Sequence, residues 1–255
     1  YGLGERAFGL NLRGRKLALW NTDPVIFERG ADPIYFSIPF YLGIRPGLAF
    51  GLLWDNPARG YADLGASKRQ AMTFGAEDGE LRLFVCAGPD APSVLRQYTE
   101  LTGHIPLPPL WSLGFHQARW SYENEAEFRA LMHEFRQRRL PCDVLHFDID
   151  YMHDFRCFTW DRGRFPALPI LLADLAENGF KSVAIIDPGI KADPGGGYAV
   201  YEDGIAQDVF LKYPDGTRVT APVWPGNSHF PDFTSARVRA WWAEPVSYTH
   251  LTLPT

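Results

Sequence analysis

The sequence predicts a β-sandwich followed by the first part, about three βα units, of a (β/α)8 TIM barrel. Three observations predict this order. Residues 1–103 contain short apolar or aromatic runs separated by Gly, Pro, Asn and Asp, which is typical of an all-β domain. A proline-rich stretch from Pro106 to Pro109 marks a domain boundary. Beyond it, segments with helical periodicity alternate with buried strands, as parallel βα units require.

The predicted sandwich, residues 1–103, is built from short strands. The strand candidates before residue 60 are the runs 16–20, 35–38, 40–44 and 48–54. Further along, Asp78-Gly79 separates the runs 72–74 and 81–85. Because Asp-Gly readily adopts the tight turns that join antiparallel strands, these two runs are predicted to form a β-hairpin.

A helix is predicted at the end of the sandwich domain. Asp90 and Pro92 are typical of a helix start, and Gly103 is a stop signal. Between them, four apolar side chains share one predicted face: Val94, Leu95, Tyr98 and Leu101.

The barrel portion is predicted over residues 104–244, with an insertion at about 194–225 that is rich in Gly and Tyr. Its strand candidates are Trp111 to His116, the run that ends in HFDIDYM at 146–152, and Ser182 to Pro188. Helical periodicity covers 123–139 and 170–177, and a last helix begins near Thr234.

Carboxylates follow two of the predicted parallel strands. Asp148 and Asp150 end the second strand, and Asp187 ends the third. In a barrel of parallel strands, the carboxyl ends of the strands carry the substrate site. The alternative is that Asp148 caps a turn or a short helix, a common position for Asp. Asp150 is expected to brace the loop after the strand, and His116 is expected to be a hydrogen-bonded structural residue.

Composition limits the classes of function and partner. The chain has eight Trp, eleven Tyr and eighteen Phe, and aromatic rings suit either a large core or the flat apolar face of a sugar. A net charge of −5 gives no indication of nucleic acid or of a membrane surface as a partner. The cysteines Cys86, Cys142 and Cys157 lack metal spacing and are predicted to be free thiols. With no visible signal peptide, they favour a cytoplasmic location, although residues before Tyr1 would carry any signal.

Motifs along most of the chain resemble, in order and spacing, those of glycoside hydrolase family 31, and within it the α-glucosidases. The motifs are YGLGE at 1–5, WNTD at 20–23, DPIYFSIPFYLG at 32–43, GFHQARWSY at 114–122, HFDIDYM with FTWD at 158–161, IIDPGI at 185–190, VWPG at 223–226 and FPDFT at 230–234. The resemblance implies a galactose-mutarotase-like sandwich before a catalytic barrel. It also implies hydrolysis of terminal α-linked glucose with retention, on an α-glucoside oligosaccharide and without cofactor or metal.

The resemblance also implies that the catalytic carboxyls lie beyond residue 244. The family's nucleophile stands in a WxDMNE-like motif on the fourth strand, and no such motif occurs here. Retaining hydrolysis needs two carboxyl groups about 5 Å apart across the bond. Residues 1–255 are therefore expected to be inactive. Residues 245–255, PVSYTHLTLPT, do not look like the family and are predicted to be a non-native tail.

Six residues are implied to bind the sugar. Asp148 matches the carboxylate that binds the hydroxyls of the terminal glucose, and Asp23 does likewise from a sandwich loop. Trp120, Ile185 and Trp224 match apolar walls, and Asp187 lies at the same strand edge. Each has a structural alternative, since Asp23 precedes Pro24 in a possible turn and tryptophans are often core residues.

Two other functions stay open at the level of the sequence. One is a family 31 enzyme for another α-glycoside, such as an α-xyloside or a sulfonated sugar. The other is a non-catalytic carbohydrate-binding module built on the sandwich. Linkage preference and oligomeric state are left open by the sequence.

Overall fold

The computed structural model describes residues 1–24, 26 and 28–249, and these form two compact units. The first unit runs from Tyr1 to Pro106, and the second begins at Leu107. None of the helices in these described residues is both long and apolar enough to cross a membrane.

The described residues of the first unit form six strands in two antiparallel sheets. The strands are β1 (Lys16–Leu19), β2 (Phe40–Arg45), β3 (Leu48–Trp54), β4 (Gly60–Asp63), β5 (Thr73–Ala76) and β6 (Leu83–Gly88). One sheet has the order β1-β4-β5 and the other β2-β3-β6. Leu17 and Leu19 of the first sheet share a buried cluster with Trp54 of the second. The two sheets therefore pack face to face, as predicted for a sandwich.

The hairpin predicted around Asp78-Gly79 is wrong. Strand β5 pairs with β4, whereas β6 pairs with β3, so the turn carries the chain from one sheet to the other. The Asn56 side chain donates hydrogen bonds to the carbonyl oxygens of Asp78 and Glu80, at 2.9 and 3.1 Å. Because these carbonyls are satisfied by Asn56, the turn does not need a partner strand beside it.

The strand predicted over residues 35–38 is also wrong. This segment pairs with no other strand, and Tyr35 and Phe36 are exposed. Pro33 and Pro39 flank it, and proline has no N–H to donate to a neighbouring strand. Instead, Glu5 N donates a hydrogen bond to Phe36 O at 2.8 Å, and Ser37 N donates one to Asn21 Oδ1 at 2.7 Å.

The predicted helix at the end of this unit is confirmed as α1 (Ala91–Thr102). Asp90 caps it by accepting a hydrogen bond from Ser93 N at 2.9 Å. Val94 is fully buried, and Tyr98 stacks on Phe40 with ring centroids 4.0 Å apart. Leu95 and Leu101, predicted on the same face, are exposed, because the contact with the β2-β3-β6 sheet is narrow.

The second unit begins with a parallel sheet covered by helices. Its elements are β7 (His116–Gln117), α2 (Glu125–Gln137), β8 (Val144–Phe147), α3 (Leu168–Glu177) and β9 (Lys181–Ala184). The strand order is β7-β8-β9, and both pairings are parallel. The strand predicted from Trp111 is largely wrong, since 110–113 form a 3-10 helix and only two residues pair in β7.

Helices α2 and α3 pack their predicted apolar sides on this sheet. Asn124 caps α2 through a bond from Glu127 N at 3.1 Å, and Phe128 stacks on Phe147 at 4.0 Å. Leu171 and Leu175 of α3 are fully buried. Both predicted helices are confirmed, with ends that shift by about two residues.

The rest of the unit contains a small antiparallel sheet and two helices. Its elements are β10 (Ile190–Lys191), α4 (Ala199–Ala206), β11 (Thr220–Val223), β12 (Gly226–His229) and α5 (Ala236–Thr249). The sheet order is β10-β12-β11. Helix α5 confirms the predicted last helix and continues through Pro245 to Thr249. Residues 250–255 of the predicted tail lie outside the described residues, and its non-native origin stays a prediction.

Candidate functional site

The candidate site lies at the carboxyl edge of the parallel sheet. Phe147 is the last residue of β8, and its carbonyl accepts a hydrogen bond from Ile185 N at 3.0 Å. This bond extends the β8–β9 pairing to the point where both strands end. Asp148 and Ile185 therefore leave the sheet side by side, and Asp187 follows two residues later. This is the edge where barrels of parallel strands bind their substrates.

Asp148 directs a half-buried carboxylate into this edge. Its Oδ1 accepts a hydrogen bond from Ile149 N at 2.7 Å, which fixes the side chain as the cap of a short 3-10 helix. The cap predicted as the structural alternative is therefore present. It occupies only one of the acceptor positions of the carboxylate. Asp148 forms no ion pair with any described residue, so its remaining acceptor positions are open to a ligand.

A pair of histidines lies below Asp148 on the same face of the sheet. His146 precedes Asp148 by two residues, and its Nε2 is 3.1 Å from His116 Nδ1. The expectation that His116 is a hydrogen-bonded structural residue is confirmed. Burial lowers the pKa of His146, the neighbouring His116 lowers it further, and the carboxylate of Asp148 opposes them. Because its pKa is lowered, His146 is neutral and does not neutralise the negative charge of the Asp148 carboxylate.

Asp187 and Trp224 form a direct pair. The indole Nε1 of Trp224 donates a hydrogen bond to Asp187 Oδ2 at 2.5 Å. Trp224 and Pro225 are the two-residue turn between β11 and β12, since Val223 pairs with Gly226. The VWPG motif is thus the tip of a hairpin that reaches the loop after β9, because the third strand, predicted to run to Pro188, ends at Ala184. Trp224 is 39% exposed, so part of the residue is accessible to a ligand.

Two residues not singled out from the sequence shape the same edge. Phe155 meets the Trp224 ring edge-on, with centroids 5.8 Å apart. Tyr151 is buried and donates a hydrogen bond from its hydroxyl to Ile185 O at 2.7 Å. Burial raises the pKa of Tyr151, so its hydroxyl remains a donor at neutral pH. Tyr151 is part of the HFDIDYM motif, but no sequence pattern indicates that its hydroxyl bonds to Ile185 O.

Arg156 fixes the loop that carries Phe155. Its Nη2 lies 2.6 Å from Asp193 Oδ2, and the side chain is largely buried. Lys191 Nζ donates to Asp154 O at 2.9 Å and holds the same loop from the other side. Asp154 and Phe155 both have positive φ angles, at 50° and 56°. Such backbone angles are uncommon outside glycine, so the sequence does not indicate this bend.

Asp150 braces the loops of the site, as expected from the sequence. It is buried and accepts hydrogen bonds from Ser121 Oγ and from Arg164 Nη1, the latter at 3.1 Å. Ser121 follows Trp120, so Asp150 ties the loop after β7 to the loop after β8. Trp120 is 75% exposed, and its ring makes no aromatic pair among the described residues. Its role as an apolar wall stays a prediction.

Asp23 belongs to the first unit. It lies on an irregular loop anchored by Asn21 Oδ1, which accepts from Ser37 N at 2.7 Å, and by Thr22 N, which donates to Ile34 O at 3.1 Å. Its contact with sugar stays a prediction. The three cysteines are buried free thiols, as predicted. Among the described residues no group of His, Cys, Asp and Glu has the arrangement of a metal site.

Comparisons with protein families match both units. The glycosyl hydrolase 31 N-terminal galactose mutarotase-like domain matches residues 1–63. The glycosyl hydrolases family 31 TIM-barrel domain matches residues 105–253. Alpha-glucosidase 2 of Bacillus thermoamyloliquefaciens is 44% identical over 245 residues, covering 96% of this chain and 31% of the relative. Human neutral alpha-glucosidase AB is 36% identical over 273 residues, covering 97% of this chain and 29% of the relative.

The solved structures that resemble this chain include a glucosidase and a family 31 dextranase. The glucosidase II alpha subunit bound to alpha3-Glc2 superposes with a TM-score of 0.90 at 28% identity, covering 100% of this chain and 30% of that one. A family 31 dextranase of Flavobacterium johnsoniae with isomaltotriose gives 0.87 at 29% identity, covering 98% of this chain and 30% of that one. This chain thus spans less than a third of the length of these relatives. Because the barrel-domain match alone covers more than half of the 255 residues, the chain belongs to glycosyl hydrolase family 31.

Proposed function

We propose that this chain supplies the glucose-binding wall of a retaining α-glycosidase that removes terminal α-linked glucose from oligosaccharides. Family membership and the α-glucosidase relatives support the reaction class. The observation that carries the proposal is that the Asp148 carboxylate follows β8 directly, while the Asp187–Trp224 pair lies in the loop after the adjacent parallel strand β9.

The two kinds of side chain suit the two surfaces of a glucose ring. Carboxylate oxygens accept short, charge-assisted hydrogen bonds from sugar hydroxyls, which is the role proposed for Asp148. A partly exposed indole packs on the apolar C–H face, which is the role proposed for Trp224. Asp187 fixes the indole through its N–H and retains acceptor positions for a hydroxyl. Both groups are held before the sugar arrives, and this lowers the entropic cost of binding.

Bond cleavage itself is assigned to residues beyond 244. Retention requires a nucleophilic carboxylate and an acid/base carboxyl about 5 Å apart on opposite sides of the glycosidic bond. No WxDMNE-like motif is present in the sequence. In this proposal Asp148, Asp187 and Trp224 orient the sugar, and neither aspartate attacks the anomeric carbon or donates a proton to the leaving group.

A second substrate class has specific support. The dextranase relative is bound to isomaltotriose in its structure, so the same wall is compatible with another α-linkage between glucose units. The part of a pocket that recognises the terminal glucose does not distinguish these linkages, because they differ in the sugar on the far side of the bond. We therefore propose that the substrates of this wall share a terminal α-linked glucose and differ in the linkage to the next sugar.

The experiment is hydrolysis by the full-length gene product. We expect it to cleave 4-nitrophenyl α-glucoside and not the β-anomer, and proton NMR should show α-glucose as the first product. Maltose and isomaltose, assayed side by side, separate the two substrate classes. Release of β-glucose first would contradict a retaining mechanism. Sugar binding with no turnover of any α-glucoside would favour a carbohydrate-binding module instead.

A further inference from the structure

A cleft in the first unit has features that the sugar site does not explain. It has a volume of about 490 Å³ and lies beside the β2-β3-β6 sheet. Three arginines from three separate segments line it, namely Arg13 before β1, Arg45 at the end of β2, and Arg69 between β4 and β5. Tyr41 and Phe50 form an aromatic wall in the same cleft.

The aromatic wall depends on a glycine in the sheet. Gly43 on β2 is opposite Phe50 on β3, and a Cβ at Gly43 would come within 2.4 Å of the Phe50 ring. The absence of a side chain lets this ring lie across the strand, with its centroid 5.9 Å from that of Tyr41. Successive side chains of a strand point to opposite faces, so residues 41, 43 and 45 lie on the same face of β2. The aromatic wall and the Arg45 side chain therefore project from that face.

The charge of the cleft is opposite to that of the whole chain. The net charge is −5, yet neither Asp nor Glu lines the cleft. Within the part of the chain that the structure describes, Arg13, Arg45 and Arg69 form no side-chain ion pair, whereas Arg6, Arg82 and Arg129 do. Burial raises the pKa of Tyr41, while the charges of Arg45 and Arg13 act against that rise. Both guanidinium groups are thus near enough to act on the phenol.

We propose that this cleft binds a small molecule in which a phosphate monoester is carried on a flat ring. A phosphate dianion offers several oxygens to the planar donors of arginine, and guanidinium groups from different segments can approach it from different sides. The ring of the ligand packs on Tyr41 and Phe50. Every residue that lines the cleft belongs to the first unit, and none of them is among the six residues implied to bind the sugar.

Calorimetric titration of the 255-residue chain tests the proposal with three probes. Phenyl phosphate carries both the anion and the ring, inorganic phosphate carries the anion alone, and benzyl alcohol carries the ring alone. We expect phenyl phosphate to bind most tightly, and the Arg45→Gln and Arg13→Gln variants to bind it at least about tenfold more weakly. Raising the salt concentration should weaken binding, because charge interactions at an exposed site are screened.

The matched control is Arg96→Gln, which removes an exposed arginine of α1 outside the cleft. We expect this variant to bind phenyl phosphate as the unchanged chain does. The three arginines are exposed and fill no core, so equal thermal midpoints will verify that the variants remain folded. No saturable binding of phenyl phosphate up to about 10 mM would overturn the proposal. Equal binding by the Arg45→Gln and Arg96→Gln variants would overturn it too, and equal affinity for inorganic phosphate would refute the role of the aromatic wall.

Discussion

Trp224 Nε1 donates a hydrogen bond to Asp187 Oδ2 at 2.5 Å, and this bond joins the tip of a β-hairpin to the loop that follows the parallel strand β9. It fixes the edge of the indole, while Trp224 as a whole remains 39% exposed. Phe155 supports the ring from a second side, with centroids 5.8 Å apart. The indole is thus held in one orientation from two directions, which is what a packing surface for a sugar ring requires.

Replacing Trp224 with alanine should weaken the use of an α-glucoside by the full-length gene product. The loss of apolar contact with the sugar is expected to reduce kcat/KM by an amount equivalent to about 1–3 kcal/mol. The matched control is Trp111→Ala, since Trp111 is 36% exposed and lies in the 3-10 helix at 110–113. If Trp224→Ala unfolds the protein while the folded fraction keeps normal kinetics, Trp224 is a core residue and the proposed role is wrong.

Asp150→Ala should destabilise the second unit, although Asp150 is not among the residues proposed to contact the sugar. Asp150 is buried, and its replacement removes the carboxylate that accepts hydrogen bonds from Ser121 Oγ and Arg164 Nη1. We expect a loss of about 1–3 kcal/mol in the free energy of unfolding by urea, mainly from unsatisfied hydrogen bonds. Coulomb attraction contributes less, because the Arg164 side chain is 43% exposed. Asp215→Ala, on an exposed turn, serves as the control, and an equal effect of both variants would contradict the bracing role.

The parts of the fold that the sequence predicted are those with local causes. Helix α2 has a capping Asn124 and an apolar period, and β8 is a buried apolar run between polar ends. The order of the two units also follows from the change of period near Pro106. These features depend on neighbours in the sequence, so a pattern reveals them.

The errors arose where distant residues determine the structure. The Asp78-Gly79 turn has the sequence of a hairpin, but Asn56 binds its carbonyls and the flanking strands pair elsewhere. The hairpin that presents Trp224 was missed, because Trp-Pro is not a typical two-residue turn. In the candidate site, motif positions indicated Asp148, Asp187 and Trp224. The supporting contacts of Tyr151 and Phe155 are tertiary, and no local pattern indicates them.

Purified residues 1–255 should not hydrolyse an activated aryl α-glucoside. The candidate carboxylates of the second unit, Asp148 and Asp187, are a helix cap and the partner of an indole. Neither matches the family's nucleophile or its acid/base, and retention needs both groups. The assay compares this chain with the full-length gene product at equal concentration. Clear turnover by purified, monodisperse 255-residue protein would show that the catalytic residues have been misassigned.

The most direct test of the proposed sugar wall is kcat/KM of the Asp148→Asn variant of the full-length gene product on an α-glucoside. Asparagine keeps the shape but loses the charge that strengthens the hydrogen bond to the sugar in the transition state. Asp143→Asn is the matched control, since Asp143 is also half-buried but precedes β8 at its opposite end. We predict a loss of at least about 100-fold for Asp148→Asn and little change for Asp143→Asn. A loss of less than about fivefold at Asp148 would contradict its placement in the sugar site.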